Sequence, residues 1–199
     1  MTDGLRVRRA REEDISELAP LVHLPHERMF ERIARDRPHA LAMVEADLRG
    51  GLVGSAWIAE VDDAVAGAMV VYPHREDAAR VRALLLVVLR RSPPWRWPAI
   101  ARVFWHGARH GSLHPADSLY VDALAVDARF RRRGVALALL EHAASTAAGD
   151  GLRSVSLDTA ETNVPAVGLY RKAGFEVTQV APGRSGAPAL LTFRRPVGD

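Results

Sequence analysis

The chain has 199 residues, 27 of them Lys or Arg and 24 Asp or Glu, with 48% hydrophobic residues and no cysteine. That length suits one domain with a real core; near-average composition excludes a disordered or fibrous chain. The missing cysteine excludes disulfides, thiolate metal ligands and a cysteine nucleophile. A sequence pI near 9.9 suggests nucleic acid at first sight, but the formal charge is only +3 and Lys172 is the sole lysine. The high pI reports arginine usage, because a guanidinium does not deprotonate in range.

Taken in chain order, Leu5 to Arg8 alternates apolar and polar, as a short strand does. Glu12-Glu13-Asp14 places acids where a helix N-terminus favours them, ahead of Ile15, Leu18, Leu21 and Val22 at helical spacing. A second helix is expected over 27–35. Ser55 to Val61 and Ala64 to Tyr72 are strand-like, joined by Asp62-Asp63 as a hairpin turn. Gly50, Gly51 and Gly54 precede them as a loop, and without a following Gly-Lys-Ser/Thr this is no P-loop. Residues 76–116 differ in character: two helices, over 77–90 and 98–109, broken at Ser92-Pro93-Pro94. This insertion holds Trp95, Trp97 and Trp105, and seven arginines against Glu76 and Asp77 give it a net +5. Strands follow at 118–126 and 154–159, helices at 134–148 and 165–172 with Gly174 as the stop, and two last strands at 175–180 and 189–194. The order is that of a mixed α/β protein. No segment is a secretory or membrane signal: the longest apolar run, Ala83 to Leu89, is seven residues, against roughly 18 for a spanning helix. A cytoplasmic location is the expectation.

The chemistry concentrates between the strand ending at Val126 and the helix opening at Gly134. The turn carries Arg129, Arg131, Arg132 and Arg133 against Asp127, a local +3. Such a turn aims several backbone N–H groups at one spot, the helix dipole adds positive potential, and Gly134 lets an anion approach the backbone. A phosphate-bearing ligand fits. Asp122, on the preceding strand, stands in an apolar context that raises a carboxyl pKa, and strict alternation places it on the same face as Leu124 and Val126.

Arg131-Arg132-Arg133-Gly134-Val135-Ala136 resembles the Arg/Gln-x-x-Gly-x-Gly/Ala motif of the GNAT superfamily, the GCN5-related N-acetyltransferases. Asn163, Leu169-Tyr170 and Gly174-Phe175 are similar to that family's second conserved segment, at the usual distance from the first. The resemblance covers nearly the whole chain outside 76–116. It implies a GNAT fold, a central, mostly antiparallel, splayed sheet flanked by helices, with a helical insertion before the fourth strand, in one domain over 1–199. It also implies acetyl-CoA as cosubstrate and transfer to a primary amine by direct attack. Leu124, Ala125 and Val126 would then offer backbone groups to the pantetheine arm, and one of their amides would meet the oxyanion. Arg131, Arg132, Arg133, Gly134, Val135 and Ala136 would hold the pyrophosphate, Asn163 would face the arm, and Tyr170 would protonate the departing sulfur. The amine must lose a proton to act; Asp122 is the leading base and a water chain the competing one, with Asp117, Glu161 and His74 behind.

Each residue also has a plainer use. Asn163 could cap the next helix, Tyr170 could be a core aromatic, and Asp122 a structurally hydrogen-bonded acid. His106, His110 and His114 fall at i, i+4 and i+8, yet Gly107, Gly111 and Pro115 break that helix, so no metal site is expected. The Trp/Arg insertion is expected to wall the acceptor pocket or supply a homodimer surface, and its charge to disfavour a polycationic acceptor. Neither nucleic acid nor membrane is an expected partner; a small-molecule or peptide amine is. A non-catalytic acyl-CoA-binding module of the same fold is the alternative reading.

Overall fold

The computed structural model describes residues 4–110, 114–183 and 188–198, the side chains of 106–110 excepted. Seven strands form one sheet in the order β1-β2-β3-β4-β5-β7-β6: β1 (Leu5–Arg9), β2 (Ala56–Val61), β3 (Ala64–Pro73), β4 (Ser118–Val126), β5 (Ser154–Ala160), β6 (Glu176–Ala181) and β7 (Leu190–Pro196). Only β4 and β5 run parallel; every other neighbouring pair is antiparallel. Among the described residues seven α-helices cover the two faces: α1 (Ile15–His23), α2 (Glu27–Ile33), α3 (Arg37–Arg49), α4 (Asp77–Arg90), α5 (Trp97–His110), α6 (Val135–Gly149) and α7 (Val164–Lys172).

Alternation along the strands sorts the core. Ile58, Ala68, Val70 and Ala123 point to the face packed by Leu18, Ile33, Met43 and Leu48 of α1 to α3, where Val88 of α4 and Ile100 of α5 are also buried. Met69, Val71, Leu119 and Val121 point to the other, against Val135, Leu139, Leu140 and Ala143 of α6 and Tyr170 of α7. The Ala-rich character of α6 lets it lie close over the sheet. Gly67 of β3 shows how close: a Cβ there would sit 2.9 Å from both the Ala125 carbonyl oxygen and Val135 Cγ1.

Most elements match their sequence patterns, including α4 and the hairpin at Asp62-Asp63, whose φ values of 53° and 60° make a type I′ turn that suits strand twist. Helix α3 is the exception. Its signals are weak but present: Asp36 accepts a 2.8 Å hydrogen bond from the His39 amide as N-cap, Pro38 sits in the first turn, and Ala40, Met43, Val44 and Leu48 supply the buried stripe. The insertion forms its two helices as expected, yet Trp95, Trp97 and Trp105 remain 80%, 45% and 59% exposed.

Candidate active site

The site is built by a failure of pairing. β4 and β5 are in register from Ser118↔Ser154 to Val121↔Leu157 and then separate, so one edge of β4 from Asp122 to Val126 has no strand beside it. On its other edge β4 stays bonded to β3 as far as Gly67↔Val126. A cavity of about 1320 Å³ passes through this opening. Its walls come from the Leu24–Arg28 turn, from Leu124 to Val126, from the start of α6 and from Asn163 to Tyr170 around α7.

At one end lies the Arg-rich turn. Asp127 caps the single 3-10 turn Ala128–Phe130 by accepting from the Arg129 amide at 2.8 Å, and its carboxylate also holds the Arg129 guanidinium. Arg129 and Arg133 both lie over the Phe130 ring, at 5.5 and 5.6 Å. Arg131 and Arg132 form no ion pair among the described residues and line the cavity. Arg132 (φ 63°) and Gly134 (φ 80°) are both left-handed, a conformation that costs a non-glycine residue roughly 1–2 kcal/mol. The return is a nest of amides: among the described residues nothing accepts from the N–H groups of residues 132–137, the first backbone bond there being Ala138 to the Gly134 carbonyl. Converging N–H donors at a helix start, with two free guanidiniums beside them, make an anion site.

Tyr170 of α7, 8% exposed, also lines the cavity. Its ring packs on Phe193 and Phe175 at 5.4 and 6.2 Å, so it is the core aromatic the plainer reading describes. Its hydroxyl, however, meets no hydrogen-bond partner among the described residues and its side chain lines the cavity. Burial, with the Asp158 charge adding, pushes its pKa up to about 12, so it stays protonated as a donor. Asn163 stands at the N-cap of α7 but makes no side-chain cap bond; it donates to Thr159 Oγ1 at 3.3 Å instead and also lines the cavity.

At the far end, the structure corrects two expectations about Asp122. The β3–β4 register slips between Val70↔Ala123 and Val71↔Val121, leaving Asp122 as a bulge residue. Alternation is therefore broken there. Leu124 and Val126 pack toward α6, whereas Asp122 meets His26 (Nε2 to Oδ2, 3.4 Å) on the opposite face. Its pKa is lowered, not raised: burial opposes the charge, but the neighbouring His26 charge, with the Tyr72 side chain adding, outweighs it.

Sequence reasoning missed four neighbours. Tyr120 and Asp158 line the cavity from β4 and β5, and the buried His114 places Nε2 2.9 Å from Asp158 Oδ2. His26 lies in the Leu24–His26 turn joining α1 to α2, where no motif marks it. Of the weaker base candidates, Asp117 pairs loosely with Arg153 (3.6 Å), Glu161 accepts from the Ala189 amide, and His74 meets the His114 ring edge-on; none lines the cavity. The side chains of His106 and His110 lie outside the described residues, and among those described no His, Asp or Glu cluster could hold a metal ion. No described helix is long and apolar enough to cross a membrane. No described residue of 76–116 lines the cavity; residues 111–113 and the side chains of 106–110 lie outside the described residues.

Solved structures share this architecture. One is an N-acetyltransferase from Staphylococcus aureus Mu50 (21% identity, TM-score 0.72, 95% of this chain and 99% of that one). A second is described as an acetyltransferase (20%, 0.70, 97% and 100%), and a third as a GCN5-related N-acetyltransferase from Kribbella flavida (20%, 0.62, 99% and 100%). At such identities they speak for the fold alone. No curated protein matches the sequence. The model of the acetyltransferase (GNAT) family matches residues 11–175, which is most of the chain and includes both the Arg-rich turn and α7. The chain belongs to the GNAT acetyltransferase family.

Proposed function

We propose that the protein is an N-acetyltransferase that moves the acetyl group of acetyl-CoA to a primary amine by direct attack. The observation that carries this reading is the free edge of β4 from Asp122 to Val126 running toward the unbonded amides of residues 132–137. An extended chain ending in a pyrophosphate matches that layout. In this reading the backbone groups of Leu124, Ala125 and Val126 bond the pantetheine arm as an added strand would, and Asn163 flanks it. The amides of Arg132, Arg133, Gly134, Val135 and Ala136 take the pyrophosphate, with Arg131 and Arg132 supplying charge. A β4 amide near Leu124 or Ala125 stabilises the oxyanion as the amine adds to the thioester carbonyl. The C–S bond then breaks and Tyr170 gives the sulfur its proton. With no cysteine in the chain, no acyl-cysteine stage intervenes.

The acceptor enters at the other end of the cavity, where Glu27, Asp122 and Asp158 outnumber Arg28. The insertion's positive charge is therefore no guide to the acceptor, and an amine carrying further positive charge is not disfavoured there. The test is acetyl-CoA-dependent thermal stabilisation, followed by free-thiol release across amino acids, peptides, aminoglycosides and polyamines. Stabilisation with thiol release supports the enzyme; stabilisation without it across the screen supports a binding module; absence of both removes the reading.

A further inference from the structure

Asp122 is the acid nearest the acceptor on β4, yet its own surroundings make it a poor proton acceptor and make its neighbour a good one. We propose that His26 is the group that takes the proton from the attacking amine, and that Asp122 is its positioning residue. The assignment rests on the acetyl-transfer reading above.

The geometry has three parts. His26 and Asp122 line the same cavity, from the α1–α2 turn and from β4 respectively. The imidazole holds Nε2 3.4 Å from Asp122 Oδ2, an ion-pair contact; the carboxylate favours the proton on that nitrogen, which leaves Nδ1 as the basic one. Nδ1 has no hydrogen-bond partner among the described residues, and the side chain is 28% exposed, so an amine in the cavity can reach it. The carboxylate, in turn, is fixed by the bulge, since the pairs Val70↔Ala123 and Val71↔Val121 clamp the backbone on both sides of it.

The electrostatics agree with that division of labour. Burial works against a charged His26, but the attraction of Asp122, with Asp47 adding from α3, raises its pKa above the ordinary imidazole value. Asp47 is itself pushed up to about 6, mainly by burial and then by the Asp122 charge, with Arg80 of α4 and His26 opposing. On β3 the Tyr72 hydroxyl donates to Asp77 Oδ1 at 3.1 Å and stays protonated. On its own segment His26 has His23 one turn earlier, which burial keeps neutral. A carboxylate held ionised beside an imidazole of raised basicity is a positioned base. In the transfer step the N–C bond forms, the C–S bond breaks, the amine's proton passes to His26 Nδ1 and the Tyr170 proton to sulfur. Solvent exchange then returns His26 and Tyr170 to their starting states.

Two measurements test this. The first is the kcat/KM pH profile of thiol release with ethylamine, a primary amine small enough for any acceptor site. His26→Gln should lose about 10²-fold or more at neutral pH and shed the acidic limb of the profile. Asp122→Asn should keep that limb but move it to lower pH, because the charge that raised the imidazole pKa is gone. Retained acetyl-CoA stabilisation certifies the fold of both variants, with His26→Asn in reserve. The second is histidine side-chain NMR titration of the unliganded protein, in which the His26 midpoint should fall in Asp122→Asn. An equal loss at every pH in His26→Gln, a limb that survives His26→Gln but vanishes in Asp122→Asn, or an unmoved NMR midpoint each overturns the proposal. Wild-type protein that neither binds acetyl-CoA nor releases thiol instead overturns the acetyl-transfer reading, whatever the titration shows.

Discussion

Gly67→Ala is the sharpest test of how α6 is seated. The added Cβ would stand 2.9 Å from the Ala125 carbonyl oxygen, 2.9 Å from Val135 Cγ1 and 3.3 Å from Val126 Cγ2. The carbonyl cannot swing away, since Ala125 is paired with Ala68 in the β3–β4 ladder. Val135 cannot rotate into space either, being 1% exposed against the core. Helix and sheet must therefore part by several tenths of an ångström, overpacking that costs about 1–3 kcal/mol. In a chain of this size each kcal/mol shifts Tm by roughly 2–4 °C, so melting should fall by about 2–12 °C. Val135 adjoins Gly134, so the anion-binding amides move with it and acetyl-CoA should stabilise Gly67→Ala less than wild type. Adding Val135→Ala removes one of the two closest contacts, and the double variant should recover at least about 0.5 kcal/mol relative to the sum of the singles. Differential scanning fluorimetry with and without acetyl-CoA measures all of this. A Tm within about 1 °C of wild type, or strictly additive variants, would refute the close seating of α6 on β3.

Other outcomes follow from equally local features. Asp63→Gly should stabilise by about 1 kcal/mol, because Asp63 sits at φ 60° where glycine is unstrained; an unchanged Tm would count against a type I′ turn there. Tyr170→Phe should slow thiol release about 10²-fold while leaving Tm and acetyl-CoA stabilisation unchanged, since the ring contacts with Phe193 and Phe175 persist; equal turnover would remove Tyr170 from the chemistry. Asp14 receives the Arg8 guanidinium on both oxygens at 2.8 Å, which holds its pKa below the ordinary carboxylate value. That stabilisation is complete above the unfolded pKa near ~4 and is lost as pH falls through the folded value. Asp14→Asn should cost about 1.5–3 kcal/mol at neutral pH, with the gap from wild type closing in acid; a gap independent of pH would refute the ion pair's role.

The parts of the fold readable from sequence are those whose signal is local. Apolar alternation and short apolar runs located the strands, Ser92-Pro93-Pro94 broke the insertion, and Gly134 after the arginines marked the turn whose amides stay unbonded among the described residues. Helix α3 escaped because its buried stripe, Ala40 to Leu48, is interrupted by Glu45 and Asp47. The bulge at Asp122 escaped for a different reason: Leu119 to Val126 reads as one uninterrupted buried strand, and the slip exists only in its pairing with β3. His26 was invisible because its meaning depends on a carboxylate 96 positions away in sequence, and such a pair has no spacing to recognise. Part of the insertion's charge is tied to the rest of the fold, which no composition shows: Arg80 bonds Ser55 and Glu76, and Arg96 reaches the Ala34 carbonyl.

The extra residue in β4 acts as a phase shift within a single strand. Residues on its N-terminal side and on its C-terminal side keep their own alternation, but the two are out of step by one. Asp122 can thus belong to the compartment under α1 and α2, while Leu124, two positions on, belongs to the compartment under α6. A strand of uniform phase would commit both to one side of the sheet. Because the shift decouples them, the helices of one compartment are free to diverge around a different guest without retuning the other.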